Sequence, residues 1–139
     1  MNVEQLKQDL HRDEGQVLHA YEDHLGYLTI GVGRLIDKRR GGGITHEEAM
    51  YLLGNDIERV RHDLQARLPY WFDLSPNRQR ALCNMAFQLG VEGLLAFRRM
   101  HAAIKAQDWD LAHQEALDSK WAAQTPARAK RVAALLRDG

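Results

Sequence analysis

"DEGQVLHAYEDHLGYLTIGVGRL", residues 13–35, changes its period partway along, and that change decides the fold. Ahead of it, Val3, Leu6 and Leu10 recur at helical spacing, with Asn2 and Gln5 placed as a capping pair. Gly15 supplies the stop, because glycine accepts the left-handed conformation that ends helices. From Val17 the run turns rich in Tyr, Thr, Ile and Val, and Leu28, Ile30 and Val32 alternate with Thr29, Gly31 and Gly33. That pattern predicts a hairpin turning around Asp23 to Gly26. Gly31 and Gly33 leave one face of the second strand bare, so a group is expected to approach that backbone closely.

Outward from this stretch, "DKRRGGG" (37–43) reads as a flexible turn leading to a short third strand. Thr45 and Glu48 form a capping box before an amphipathic run of Ala49, Leu53, Ile57, Val60 and Leu64. In "LSPNRQRALCNMAFQLG" (74–90), Ser75 is the cap, Pro76 the first helical residue and Gly90 the stop. Helices are expected over Leu95–Ala106 and Asp108–Leu117, and Thr125 with Pro126 opens a last one. The expected fold class is α+β, mostly α. A small β lobe covers about 16–44, a connecting helix about 46–67, and a helical lobe about 1–14 and 68–139. A groove between unequal lobes is where a ligand would bind.

At 139 residues the chain is one domain with enough length for a core of its own. Its formal charge is zero, so no global field draws it to nucleic acid or acidic membranes, although "TPARAKRVAALLR" (125–137) gathers bases locally. The single Cys83 cannot form an internal disulfide, and its apolar neighbours predict a buried, inert thiol. No secretory signal is read at the N-terminus, and no run approaches the roughly 20 apolar residues of a membrane span. A monomer without stable membrane insertion is expected.

Seven histidines invite a metal, but none has ligand spacing: His46 in "HEEAM" lacks a second His, and His19 and His24 flank a turn. "GVGRLI" and "RRGGGITHEE" lack the remaining residues of a nucleotide loop. Neither metal nor cofactor is expected. The carboxylates are left. Cleaving a glycosidic bond needs one protonated acid at the leaving oxygen and one carboxylate across the sugar. Glu14 at a helix end and Asp23 in the hairpin could hold such a pair. On spacing alone, two ordinary surface acids are the simpler reading.

The order of residues favours the chemistry. "DEG" followed by "AYEDHLGYLTIGVGRL" resembles the active-site region of the phage T4-type lysozymes, glycoside hydrolase family 24. "LCNMAFQLGVEGLLAF" is similar to that family's central helix, and "SKWAAQTPARAKRV" to its late "RW…QTPxRAKRV" segment. The resemblance implies a lysozyme-like two-lobed fold and a muramidase that cuts the β-1,4 bond between N-acetylmuramic acid and N-acetylglucosamine of peptidoglycan glycan strands. It implies inversion, with Glu14 as general acid, Asp23 holding the attacking water and Thr29 helping to place it. It further implies a phage or prophage endolysin, waiting in the host cytoplasm until a holin opens the way to the wall. A tail-associated domain, a secreted effector, an inactive wall-binding module and a lytic transglycosylase are the alternatives.

The same resemblance assigns Arg128 as partner of Glu14 and Arg131 as partner of Asp13. It assigns Leu35, Phe87, Gln88, Lys120, Gln124 and Thr125 to the sugar groove. Simple core packing is the competing reading for Phe87 and Trp121. Where the family's strand carries His, this chain has Arg34, and an Arg34–Asp56 ion pair is expected in its place. The short "LIDKRRGGGITHEE" (35–48) implies a small β lobe.

Overall fold

The computed structural model describes all residues, 1–139. Helix α1 is Val3–Glu14, followed by strands β1 (Val17–Glu22), β2 (Leu28–Gly31) and β3 (Arg34–Leu35). Then come α2 (His46–Arg67), α3 (Pro76–Leu95), α4 (Arg98–Lys105), α5 (Trp109–Leu117), α6 (Lys120–Gln124) and α7 (Pro126–Asp138). The fold is α+β and mostly helical, as expected. The chain forms two compact units, Met1–Leu52 and Leu53–Gly139. Helix α1 groups with the strands, whereas the sequence reading put residues 1–14 with the later helices. The chain passes from α1 through Gly15 straight into β1, which keeps the two together.

In the first unit the sheet order is β1-β2-β3, antiparallel throughout. Tyr21 and Leu35 flank Thr29, and Arg34 faces Ile30. Asn2 caps α1 by accepting the Gln5 N–H, and Gly15 ends it at φ 74°. The hairpin turn falls where expected, but the apolar alternation does not select the buried face. Leu28 and Val32 are exposed, and the buried residues of this unit are the polar Thr29 and Asp37. No apolar side chain of this sheet is fully buried, and the two groups that do turn inward are held by hydrogen bonds. The third strand precedes "DKRRGGG" rather than following it. That segment forms a 3₁₀ turn over Lys38–Arg40, because the Asp37 side chain accepts the Arg39 N–H and Gly41 closes the turn in the left-handed region.

The second unit holds the apolar core. Leu64, Trp71, Leu82, Met85, Leu94, Met100, Ile104 and Leu136 are fully buried there. Thr45 and Glu48 start α2 with the reciprocal capping box read from sequence: Thr45 N–H to Glu48 Oε1 at 2.9 Å, Glu48 N–H to Thr45 Oγ1 at 3.1 Å. Ser75 and Pro76 open α3 as expected. Gly90, at φ 76° and ψ 160°, breaks α3, and a second helical segment continues to Leu95. Helix α6 was not foreseen. Thr125 sits at the start of α7 but makes no side-chain cap; its hydroxyl turns back to the Trp121 carbonyl at 2.9 Å, closing α6. Cys83 is half-buried and unpaired, and burial pushes its thiol pKa up, away from reactivity. No helix is long and apolar enough to cross a membrane.

Candidate active site

Asp23 is built into its turn by its own side chain. Its Oδ1 accepts the Leu25 and Tyr27 N–H groups, each at 2.9 Å. The Tyr27 N–H, with Leu25 assisting, holds the Asp23 carboxyl below the usual carboxylate range, so it stays ionised. Its second oxygen makes no hydrogen bond and is free to accept one from water.

The peptide groups of Tyr27 connect Asp23 to Thr29. The Tyr27 carbonyl accepts the Asp23 N–H at 2.9 Å and the Thr29 hydroxyl at 3.0 Å. Thr29 is 5% exposed. With its proton committed to Tyr27, the hydroxyl oxygen can only accept, which suits it to orient a water O–H.

Glu14, the last residue of α1, is exposed and projects over the turn between β2 and β3. A Cβ built at Gly33 would stand 3.5 Å from Glu14 Oε2, so the group expected over the bare glycines is this carboxylate, at Gly33. Nothing lies within 4 Å of such an atom at Gly31. Glu14, Asp23 and Thr29 thus all belong to the first unit, as does Leu35, which pairs with Thr29 across the ladder.

Four residues of the expected ion pairs bond within their own units. Arg34 binds Glu48, with Nη1 to Oε1 at 2.9 Å and Nη2 to Oε2 at 2.8 Å, and Asp56 binds Arg59. Glu48 wins because the capping box already anchors its carboxylate in the first turn of α2, ready for a two-pronged guanidinium. Asp56 lies eight residues further on, about 12 Å along the helix axis. The Arg34 hydrogen bond, with the Thr45 N–H, lowers the Glu48 pKa to about 2. Arg128, expected to pair with Glu14, donates Nε to Asn84 Oδ1 at 2.9 Å and Nη2 to the Asn84 carbonyl at 3.2 Å. Asp13, expected to meet Arg131, accepts from neighbouring Arg12 at 3.1 Å.

The other candidate groove residues lie in the second unit. Phe87 is exposed and lines a cavity of about 420 Å³ with Asn84, Cys83 and Arg128. Lys120 and Gln124 line another, of about 530 Å³, beside Trp121 and Phe97. Trp121 is a core residue, donating its indole N–H to Gln88 Oε1 at 2.8 Å and meeting Phe97 edge-on. That bond leaves the Gln88 amide N–H₂ free to donate. The sequence reading missed Asp37 and Arg39, which hold the residues on either side of Tyr27. Their signal was an Asp two residues before an Arg in a turn, the pattern of a side-chain-closed turn.

Residues 11–137 match the family model described as phage lysozyme. The pre-baseplate central spike protein Gp5 of Enterobacteria phage T4 is 37% identical over 94% of this chain, which spans 27% of that protein. Probable T4-type lysozyme 1 of Dictyostelium discoideum is 29% identical over 99% of this chain and 96% of its own length. The endolysin of Salmonella phage P22 is 36% identical over 58% of each chain.

Proposed function

Since the chain belongs to the phage lysozyme family, and with it to the glycoside hydrolases of the lysozyme class, we propose that residues 1–139 act as one muramidase domain cutting peptidoglycan between N-acetylmuramic acid and N-acetylglucosamine. Glu14 is the general acid at the leaving oxygen. Asp23 holds and deprotonates the attacking water, and Thr29 accepts one of its O–H groups. Water arrives on the face opposite the leaving group, so the configuration inverts. The observation that carries this reading is the linkage of Asp23 and Thr29 through the backbone of Tyr27, with one Asp23 oxygen left for water.

Leu35, Phe87, Gln88, Lys120, Gln124 and Thr125 are the proposed sugar contacts. The zero net charge is a sum of opposite signs. Residues 1–52 carry nine acidic and six basic side chains, and residues 53–139 carry ten and thirteen. The second unit therefore has the sign suited to anionic wall polymers.

Glu14→Gln and Asp23→Asn test the assignment. Each is expected to abolish turnover of purified peptidoglycan while leaving the circular dichroism spectrum unchanged. Full activity in either folded variant overturns the role given to that carboxylate. Host lysis is the proposed setting, a reading supported by the similarity to an endolysin. The spike-protein relative supports a second setting, a wall-cutting domain carried on the virion, which mass spectrometry of purified particles would detect.

A further inference from the structure

The first unit has almost no apolar core, yet it must hold Asp23 and Thr29 in register. Its most buried side chain is the Asp37 carboxylate, 2% exposed. Asp37 Oδ2 accepts the Leu28 N–H at 3.0 Å, and Oδ1 accepts the Arg39 N–H at 2.8 Å. The Arg39 guanidinium grips the same carboxylate with both prongs, Nε to Oδ1 at 2.9 Å and Nη2 to Oδ2 at 2.6 Å. Arg39 Nη2 also reaches the Gly26 carbonyl at 2.9 Å. Leu28 and Gly26 are the two neighbours of Tyr27. The Tyr27 ring is covered by the guanidinium groups of Arg39 and Arg40, at 5.3 and 4.8 Å from its centroid. The residue whose N–H fixes Asp23, and whose carbonyl fixes Thr29, is thereby pinned on both sides and over its ring.

Resting on the assignment of Asp23 and Thr29 above, we propose that Asp37 and Arg39 are positioning residues for the hydrolytic water: they act through the Tyr27 backbone to set where Asp23 and Thr29 hold it. Neither touches the substrate. The bidentate, charge-assisted grip makes the brace stiff in a turn that would otherwise be a mobile loop. A pair that merely stabilised the lobe would have no reason to bracket the one residue shared by both water-holding groups.

The brace makes a prediction that stability alone does not. Loosening it weakens the Tyr27 N–H bond to Asp23, the largest cause of that carboxyl's lowered pKa. The acidic limb of the kcat profile then moves to higher pH. Asp37→Asn and Arg39→Gln, in the full chain, are each expected to lower kcat by roughly 10²-fold, the cost of misplacing a reacting group by about 1 Å. KM should stay within about twofold, and the acidic limb should shift upward. Arg39→Lys keeps the charge but loses the fork, so it should fall between Arg39→Gln and the parent. Lys38→Ala, in the same turn with no bond to the brace, should match the parent. If Glu14→Gln or Asp23→Asn remains active, the catalytic assignment fails. If both are dead but folded Arg39→Gln keeps the parental kcat and acidic limb, the brace proposal fails. Arg39→Gln serves even where Asp37→Asn does not fold, because Asp37 keeps its backbone bonds.

Discussion

The Glu14 carboxylate lies over Gly33, where an added Cβ would sit 3.5 Å from Oε2, in ordinary van der Waals contact. The obstacle to a side chain at Gly33 is its φ of 69° rather than crowding. Gly33→Ala is therefore expected to cost about 1–2 kcal/mol through backbone strain and to leave Glu14 where it is. A lowered Tm with near-parental kcat agrees; a large loss of kcat at full stability would mean that Glu14 had been displaced. Gly42 is the contrast. Its added Cβ would meet the Leu35 carbonyl oxygen at 2.7 Å, and backbone cannot swing aside. Gly42→Ala should lower Tm more than Gly33→Ala, and the reverse order would contradict this packing.

The Arg34–Glu48 pair sets a pH dependence. Glu48 has a folded pKa of about 2 against an ordinary 4.5. A depressed carboxyl contributes stability that is complete above the ordinary value and is lost as pH falls from 4.5 towards 2. Both groups are partly exposed, so salt should reduce the effect. In Glu48→Gln the decline of stability over that window should be shallower, as read by urea melts. Equal slopes would remove Glu48 as a cause. Arg34→Ala should also lower stability near neutral pH without altering the reaction products.

Buried Tyr70 and half-buried His101 form a pair in the second unit: the Tyr70 hydroxyl bonds His101 Nδ1, and His101 Nε2 donates to the Leu94 carbonyl at 2.8 Å. Burial first, and the Lys105 charge, lower the imidazole pKa, so His101 folds neutral. Stability from this group is present above its ordinary 6.5 and is lost as pH falls below it. Tyr70→Phe leaves Nδ1 without a donor and should cost about 1–3 kcal/mol in denaturant melts. A neutral result would mean that water replaces the hydroxyl.

The core divides stability unevenly along the chain. Leu82 is fully buried in α3, and Leu82→Ala should cost about 2–5 kcal/mol. Leu18, on β1, is 79% exposed, and Leu18→Ala should stay within about 0.5 kcal/mol. Similar losses at the two sites would contradict the burial pattern.

What was legible from sequence was whatever depends on local chemistry. The Thr45–Glu48 box, the Ser75–Pro76 start and the Asp23–Gly26 turn each rest on contacts within a few residues, and each formed. Glu14, Asp23 and Thr29 are proposed from the order of a motif rather than from spacing. The misses share a different cause. Alternation over residues 28–33 predicts the strand but not its buried face, where a hydrogen bond rather than apolar area holds Thr29. Arg34 was matched to Asp56 by family position, whereas Glu48 was already anchored one helix turn from the cap. Asp37 and Arg39 read as loop from sequence because their partners, Leu28 for Asp37 and Gly26 for Arg39, lie 9 and 13 residues back along the chain.

The products of digestion distinguish hydrolysis from water-free cleavage. Purified peptidoglycan cut by this protein and resolved by mass spectrometry should yield fragments ending in reducing N-acetylmuramic acid, a water having added across the bond. Fragments ending in anhydro-N-acetylmuramic acid, formed without water, would contradict the role given to Asp23 and Thr29.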